Sequence, residues 1–188
     1  MTPTIRRARP SELRHLAAIE DSGAAPFRDW FGDDAVPALL CPAPSGSSRD
    51  AADGVLLVAV DPAYAAGAGH GLLGFAHLVW LPTDDGSRSA HLEQLSVLLP
   101  EHGRRGIGTE LVRAVCEEAR WEGHRRLTLC TYRDVPWNGP FYRRLGFEEL
   151  ADLPPHLERI RAVERDLGLD RCGVREVLGR HLERSSRG

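Results

Sequence analysis

Hydrophobic and polar positions along this chain follow two periods. Val55 to Val60 and Leu72 to Leu81 are apolar runs of strand length, and Ala90 to Leu99 is a further strand ended by Pro100. Leu127 and Leu129 alternate with Thr128 and Thr131, which makes Arg126 to Tyr132 a strand. Thr4 to Arg9 reads as a short first strand, Phe147 begins another that reaches Leu150, and Cys172 to Leu182 supplies a weakly patterned last one. Helical spacing appears in Leu13, Leu16 and Ala17 after Pro10-Ser11-Glu12. It returns in Leu111, Ala114, Val115 and Ala119, on a helix opened by Gly108 and ended by Gly123. It returns again in Leu157, Ile160, Val163 and Leu167, between Pro154-Pro155 and Gly168. Pro136 to Leu145 is a short helix, and Phe27 to Leu40 holds another with Trp30 and Phe31. Cys41 to Gly54, rich in Pro, Ser, Ala and Gly, reads as a mobile loop; Pro62 to Gly71 and Pro100 to Arg105 are loops, and Thr83 to Ser89 is a turn. This order predicts an α/β (α+β) fold with a mixed central sheet flanked by helices on both faces, residues 1–188 forming one domain.

Composition narrows the function classes. The net charge of -3 gives no basic stripe, so no nucleic-acid partner is expected. No apolar stretch is long enough to span a membrane, and charges at the start of the chain leave no signal peptide. All 24 basic residues are Arg, as expected of a GC-rich, bacterial genome. Cys41, Cys116, Cys130 and Cys172 occur singly, without metal-ligand spacing, so no metal is expected and a reducing cytoplasm fits.

Two segments carry candidate chemistry. In the first, the strand His91-Leu92-Glu93-Gln94-Leu95-Ser96-Val97 runs into Gly103-Arg104-Arg105-Gly106-Ile107-Gly108-Thr109. A helix start offers free N–H groups and a positive dipole end, glycines allow close backbone approach, and Arg104 and Arg105 add cationic donors; together these suit a pyrophosphate. Neither a Walker A loop nor a dinucleotide fingerprint is present: no Lys follows the last Gly, and Leu111 stands where a third Gly would. The second segment is Trp137-Asn138-Gly139-Pro140-Phe141-Tyr142-Arg143-Arg144-Leu145-Gly146-Phe147. Tyr142 alone reads as a half-buried aromatic packed on the sheet.

Together the two segments resemble the GNAT superfamily of N-acetyltransferases, over about Ala90 to Leu150. Gly106 and Gly108 match the cofactor loop, whose leading Arg or Gln falls here on Gly103; Arg104 is expected to supply the missing charge. Asn138, Phe141, Tyr142, Gly146 and Phe147 match the later helix. The resemblance implies a GNAT fold in which two parallel strands splay to hold the pantetheine arm of acetyl-CoA. The arm then pairs with the backbone of Leu95, Ser96 and Val97, and Gly103, Arg104, Arg105, Gly106, Ile107, Gly108 and Thr109 meet the pyrophosphate. Tyr142 matches the family's proton donor to the departing thiolate and borders the cofactor, and Asn138 contacts the arm or caps its helix.

Glu93 is the candidate base or, equally, merely the partner of an Arg, and His91 is the alternative base. A strict two-residue period puts His91, Glu93, Leu95 and Val97 on one face, where burial among apolar neighbours would raise the carboxyl pKa. Cys130, on the second splayed strand, offers a covalent route. The reaction implied is acetyl transfer to a primary amine, on a small molecule or a peptide, by direct attack in a ternary complex; a homodimer is compatible with it. Three rival readings stand beside it: a non-catalytic acyl-CoA binder or sensor, an acyltransferase using another acyl-CoA, and an interaction module with a degenerate cofactor site. Asp29, Asp33 and Asp34, and Asp84 and Asp85, are either acidic borders of the acceptor site or solvated turns.

Overall fold

The computed structural model describes residues 2–32, 35–63, 71–99 and 103–182. In chain order the elements are β1 (Thr4–Arg7), α1 (Leu13–Asp21), α2 (Ala24–Phe31), α3 (Pro37–Leu40), α4 (Gly46–Asp50), β2 (Gly54–Val60), β3 (Leu72–Pro82) and β4 (Arg88–Val97). There follow α5 (Ile107–Trp121), β5 (Arg126–Tyr132), α6 (Gly139–Arg144), β6 (Glu148–Glu149), α7 (Pro155–Asp166) and β7 (Arg175–His181). The seven strands form one sheet in the order β1-β2-β3-β4-β5-β7-β6. Every neighbouring pair is antiparallel except β4 and β5, which are parallel.

The apolar faces sort into two cores. Leu111, Val112, Val115 and Ala119 of α5 are buried against Leu57, Ala76, Leu78, Leu92 and Leu129 on one face of the sheet. Leu13, Leu16 and Ile19 of α1 pack against Leu56, Val58 and Phe75 on the other. Burying an aliphatic side chain is worth about 1.5–3 kcal/mol, so these two layers hold the sheet between α5 and α1.

The segment expected to be a mobile loop, Cys41 to Gly54, instead carries α4. Ser45 caps it, accepting a hydrogen bond from the Ser48 amide at 3.1 Å. Gly46 lies so close to α1 that a Cβ there would be 2.1 Å from the Leu13 carbonyl oxygen. The Ser- and Gly-rich composition is therefore that of a capped helix start and a close helix contact. Residues 64–70, Asp33, Asp34 and Pro100 fall outside the described residues.

Two features of β4 shape the functional region. Its register against β3 slips between His77 and Leu78: Gln94 faces His77 and Leu92 faces Leu78, so Glu93 is an extra, bulged residue. Its parallel ladder with β5 consists of Ala90 opposite Leu127 and His91 opposite Thr128. Beyond these, Leu92 to Val97 and Leu129 to Tyr132 run on with no pairing between them among the described residues, and a gap opens in the sheet.

Candidate active site

The bulge corrects the expected distribution of side chains along β4. Strict alternation puts His91, Glu93, Leu95 and Val97 on one face. The extra residue reverses the phase, because paired residues on adjacent antiparallel strands share a face. His91, opposite Val79, and Gln94, opposite His77, therefore face α1, and Glu93 joins them by contacting His77. Leu95 and Val97 turn to the α5 core. One strand thus presents a polar lining to one side of the gap and an apolar lining to the other.

The backbone of β4 follows the same logic. The Leu98 amide donates to the Leu73 carbonyl at 2.9 Å, toward β3. Alternation then sends the N–H and C=O groups of Val97 and Leu95 the other way, into the gap. Ser96 differs from expectation: its backbone points to β3, and its buried hydroxyl accepts from Gln94 Nε2 at 2.9 Å on the α1 side. The free backbone edge therefore belongs to Leu95 and Val97.

At the mouth of the gap stands the N-terminus of α5. Gly106, its N-cap, has φ +79°, and Arg104 has φ +59°. Left-handed residues within such a turn gather backbone N–H groups into an anion-binding concavity. No side chain caps α5, so the first-turn amides of Ile107, Gly108 and Thr109 remain available. The Ile107 side chain is buried in the core, and Gly103 is half-buried beside the exposed Arg104 and Arg105. A Cβ on Gly108 would lie 3.4 Å from Phe141 Cζ, 3.8 Å from Val97 Cγ2 and 3.9 Å from Leu95 Cδ2. An uncapped cationic turn followed by an apolar slot with free backbone fits a long chain bearing a pyrophosphate.

On the α5 side of the sheet, α6 packs Tyr142 against the core. The half-buried ring meets Phe141 edge-on at 5.0 Å and Phe147 at 5.7 Å. Burial raises the phenol pKa, so Tyr142 is protonated at neutral pH, while the charge of Arg175 acts in the opposite sense. Among the described residues its hydroxyl meets no hydrogen-bond partner. Asn138 precedes α6 but does not cap it with its side chain, contrary to one of its two expected roles. Its Oδ1 instead accepts from Thr131 Oγ1 of β5 at 3.0 Å, while its backbone carbonyl accepts the Tyr142 amide.

On the α1 side, Glu93 lies against His77 Nδ1 and 3.4 Å from Arg49 Nη1, with its side chain 52% exposed. The expectation of a raised pKa is overturned. His77 foremost, then Arg49 and His91, hold the carboxyl below its usual value against the opposing effect of burial. The bulge has moved Glu93 out of apolar company and into a cationic one. Arg49, nearly buried on α4, also pairs with Glu20 of α1 at 2.6 Å. Burial raises the Glu20 pKa, and Arg49 pulls it back.

His91 is buried beside Glu93, and desolvation lowers its pKa to about 4. It is neutral at physiological pH. Thr128 Oγ1 donates to the Ala90 carbonyl at 3.1 Å and therefore accepts from His91 Nδ1 at 2.9 Å. This assigns the Nδ1–H tautomer and leaves Nε2 as a lone pair.

Arg49, Glu20 and His77 were not anticipated from the sequence. His77 interrupts an apolar strand run, which is a usable signal; Arg49 lies in composition that reads as loop. Other candidates fall away. Burial pushes the Cys130 thiol up to about 12, so it is no thiolate nucleophile. Asp85 holds the turn, with Thr83 and Ser87 hydrogen bonds taking its pKa to about 2, and Asp84 pairs with Arg159 at 3.0 Å. Among the described residues no helix is long and apolar enough to cross a membrane, and no group of three His, Cys, Asp or Glu could hold a metal.

The chain matches the model of the acetyltransferase (GNAT) family over residues 17–147. Its fold is similar to the PaiA N-acetyltransferase of Thermoplasma acidophilum in complex with coenzyme A, with TM-score 0.64 and 16% identity over 96% of this chain and 99% of that one. It is similar to the ribosomal-protein-S18-alanine N-acetyltransferase of Escherichia coli, with TM-score 0.61 and 16% identity over 99% and 97% of the two chains. A GNAT family acetyltransferase of Brucella melitensis in complex with acetyl-CoA gives 0.51 and 22% over 78% and 82%. At these identities the likeness is one of fold.

Proposed function

Because the chain belongs to the GNAT family of acetyltransferases, we propose that it moves an acetyl group from acetyl-CoA to a primary amine by direct attack in a ternary complex. The observation that carries this reading is the gap between β4 and β5. It has an uncapped helix start at its mouth and free backbone along one edge, with the Glu93 carboxylate on the α1 side.

Bound acetyl-CoA supplies a thioester carbonyl and a thiolate leaving group. The α5 turn, with Arg104 in place of the charge that Gly103 lacks, holds the pyrophosphate. The outward amide of Val97 or Leu95 donates to the carbonyl oxygen as negative charge develops there. Glu93, a carboxylate at neutral pH, takes the proton that the ammonium must lose before it can attack. Neutral His91 Nε2 is the second acceptor on the same side. Tyr142, still protonated, gives its hydroxyl proton to the departing sulfur as the C–S bond breaks, and the second proton that the nitrogen sheds on forming the amide restores the phenol. No covalent acyl-enzyme is needed, in keeping with the protonated Cys130 thiol.

Calorimetry with acetyl-CoA, paired with free-CoA release over a panel of amines, tests the reading. Binding in the micromolar range, roughly -8 kcal/mol, is expected. Absence of both heat and thermal shift at millimolar acetyl-CoA refutes it.

A further inference from the structure

The acyl-transfer chemistry leaves an aromatic wall beside the gap unused. Phe27, Trp30 and Phe31 project from α2 toward Tyr132, the last residue of β5, and Trp137, the residue before Asn138. Phe31 and Tyr132 are 5.0 Å apart, Phe27 and Trp137 5.7 Å. Trp30 and Trp137 meet edge-to-face at 5.7 Å and 83°, yet remain 50% and 39% exposed. Such indoles usually bury their apolar surface against a partner or ligand.

Two cavities share Trp30 as a wall. One of about 300 Å³ is lined by Pro26, Asp29, Trp30 and Trp137. The other, about 170 Å³, adds Phe31, Tyr132 and Asp134 among its walls. Among the described residues no Arg or His lines either cavity. Asp29 and Asp134 are exposed and enter no ion pair among the described residues. Arg175, 4.6 Å from the Tyr132 ring, is itself committed to Glu164.

Around Asp29, Trp30 and Trp137 the aromatic faces and the carboxylate meet no protein cation among the described residues, whereas Arg175 already covers the Tyr132 ring. A hydrated metal ion demands converging oxygen ligands, which no cluster here supplies. An organic ammonium suits the arrangement, because indole faces and carboxylates attract it together. We infer that this aromatic pocket binds a protonated or quaternary ammonium group, the cationic far end of an amine acceptor whose other end reaches the gap. The acceptor part of the inference rests on the acyl-transfer reading; the cation site does not.

The test therefore has two arms. In the first, tryptophan fluorescence of the cofactor-free protein is titrated with choline chloride at constant ionic strength, with its neutral isostere dimethylbutanol as control. Saturable quenching by the cation alone is expected, weakened about fivefold or more in Asp29→Asn and in Trp30→Ala. No saturation, equal response to the neutral probe, or unchanged binding in both variants overturns the cation site. In the second arm, hexamethylenediamine, hexylamine and aminocaproate compete as acceptors. The diamine should have the highest kcat/KM, and Asp29→Asn should raise its KM about fivefold or more while leaving kcat and hexylamine turnover unchanged. If hexylamine is preferred, or if Trp30→Ala affects hexylamine as strongly as the diamine, the pocket takes an apolar chain and the inference fails. If the cation binds in the first arm but no amine releases CoA, the acyl-transfer reading fails and the cation site stands.

Discussion

Replacing Arg49 by Met removes the cation that approaches Glu93 from α4. The charges are 3.4 Å apart. At that distance a unit pair is worth about 1 kcal/mol in water and about 5 kcal/mol at an effective dielectric near 20. The Glu93 side chain is 52% exposed, so screening places the interaction near the lower figure. We expect the Glu93 pKa to rise on loss of this pair, worth about 1 kcal/mol.

The sign follows from the folded-state shift. Glu93 is held below its usual pKa, so its basic form is present above that lowered value. Without Arg49 the value climbs, and the acidic limb of kcat/KM moves to higher pH. His77 still faces the carboxylate and prevents a full return. The same change strands Glu20, already desolvated, and should cost about 2–4 kcal/mol of stability. Assays therefore belong well below the variant's Tm. Carbon-detected NMR of the Glu93 carboxyl in the free enzyme reads the shift without turnover, and Arg49→Lys should restore both limb and resonance. If stability falls while the limb and the Glu93 titration stay in place, Arg49 is a structural residue and not a positioning one.

Tyr142→Phe removes only a hydroxyl from a ring held by Phe141 and Phe147, so turnover should fall about 10²–10⁴-fold with acetyl-CoA affinity nearly unchanged; equal turnover withdraws the acid assignment. Gly106→Val forces a β-branched residue into φ +79°, at a strain of roughly 1–2 kcal/mol. Calorimetry should show acetyl-CoA affinity lowered by about tenfold or more through loss of the amide cradle; wild-type affinity means the loop is misassigned. Cys130→Ser should leave single-turnover kinetics intact, because a thiol pushed up to about 12 is not the nucleophile.

The strand and helix order could be read directly, because each long element carries its own period and the cofactor-loop glycines mark a helix start. The composition of Cys41 to Gly54 misled, since capping serines and a contact glycine share their composition with loops, and only the approach to Leu13 separates the cases. The bulge left no trace in the pattern of β4. The expected alternation sets Glu93 on one face with Leu95 and Val97, and the inserted residue that moves it away is visible only in the register against β3. That one slip accounts for the lowered Glu93 pKa and for the turn of the Leu95 and Val97 side chains to the α5 core. Arg49 could not be placed from sequence, because its partners Glu20 and Glu93 come from elements far along the chain and meet it through tertiary packing.

The two pairs that join β4 to β5 act mechanically as a rivet between two plates. One plate is β1 to β4, the other β5, β7 and β6, and Ala90–Leu127 and His91–Thr128 fasten them. Thr128 tightens the fastening by bonding both Ala90 and His91. The angle between the plates sets the width of the slot some residues away, as the pivot of a pair of tongs sets the opening of its jaws. A change as small as Thr128→Val would loosen the pivot and release the His91 ring, altering the thickness of chain that fits between the jaws.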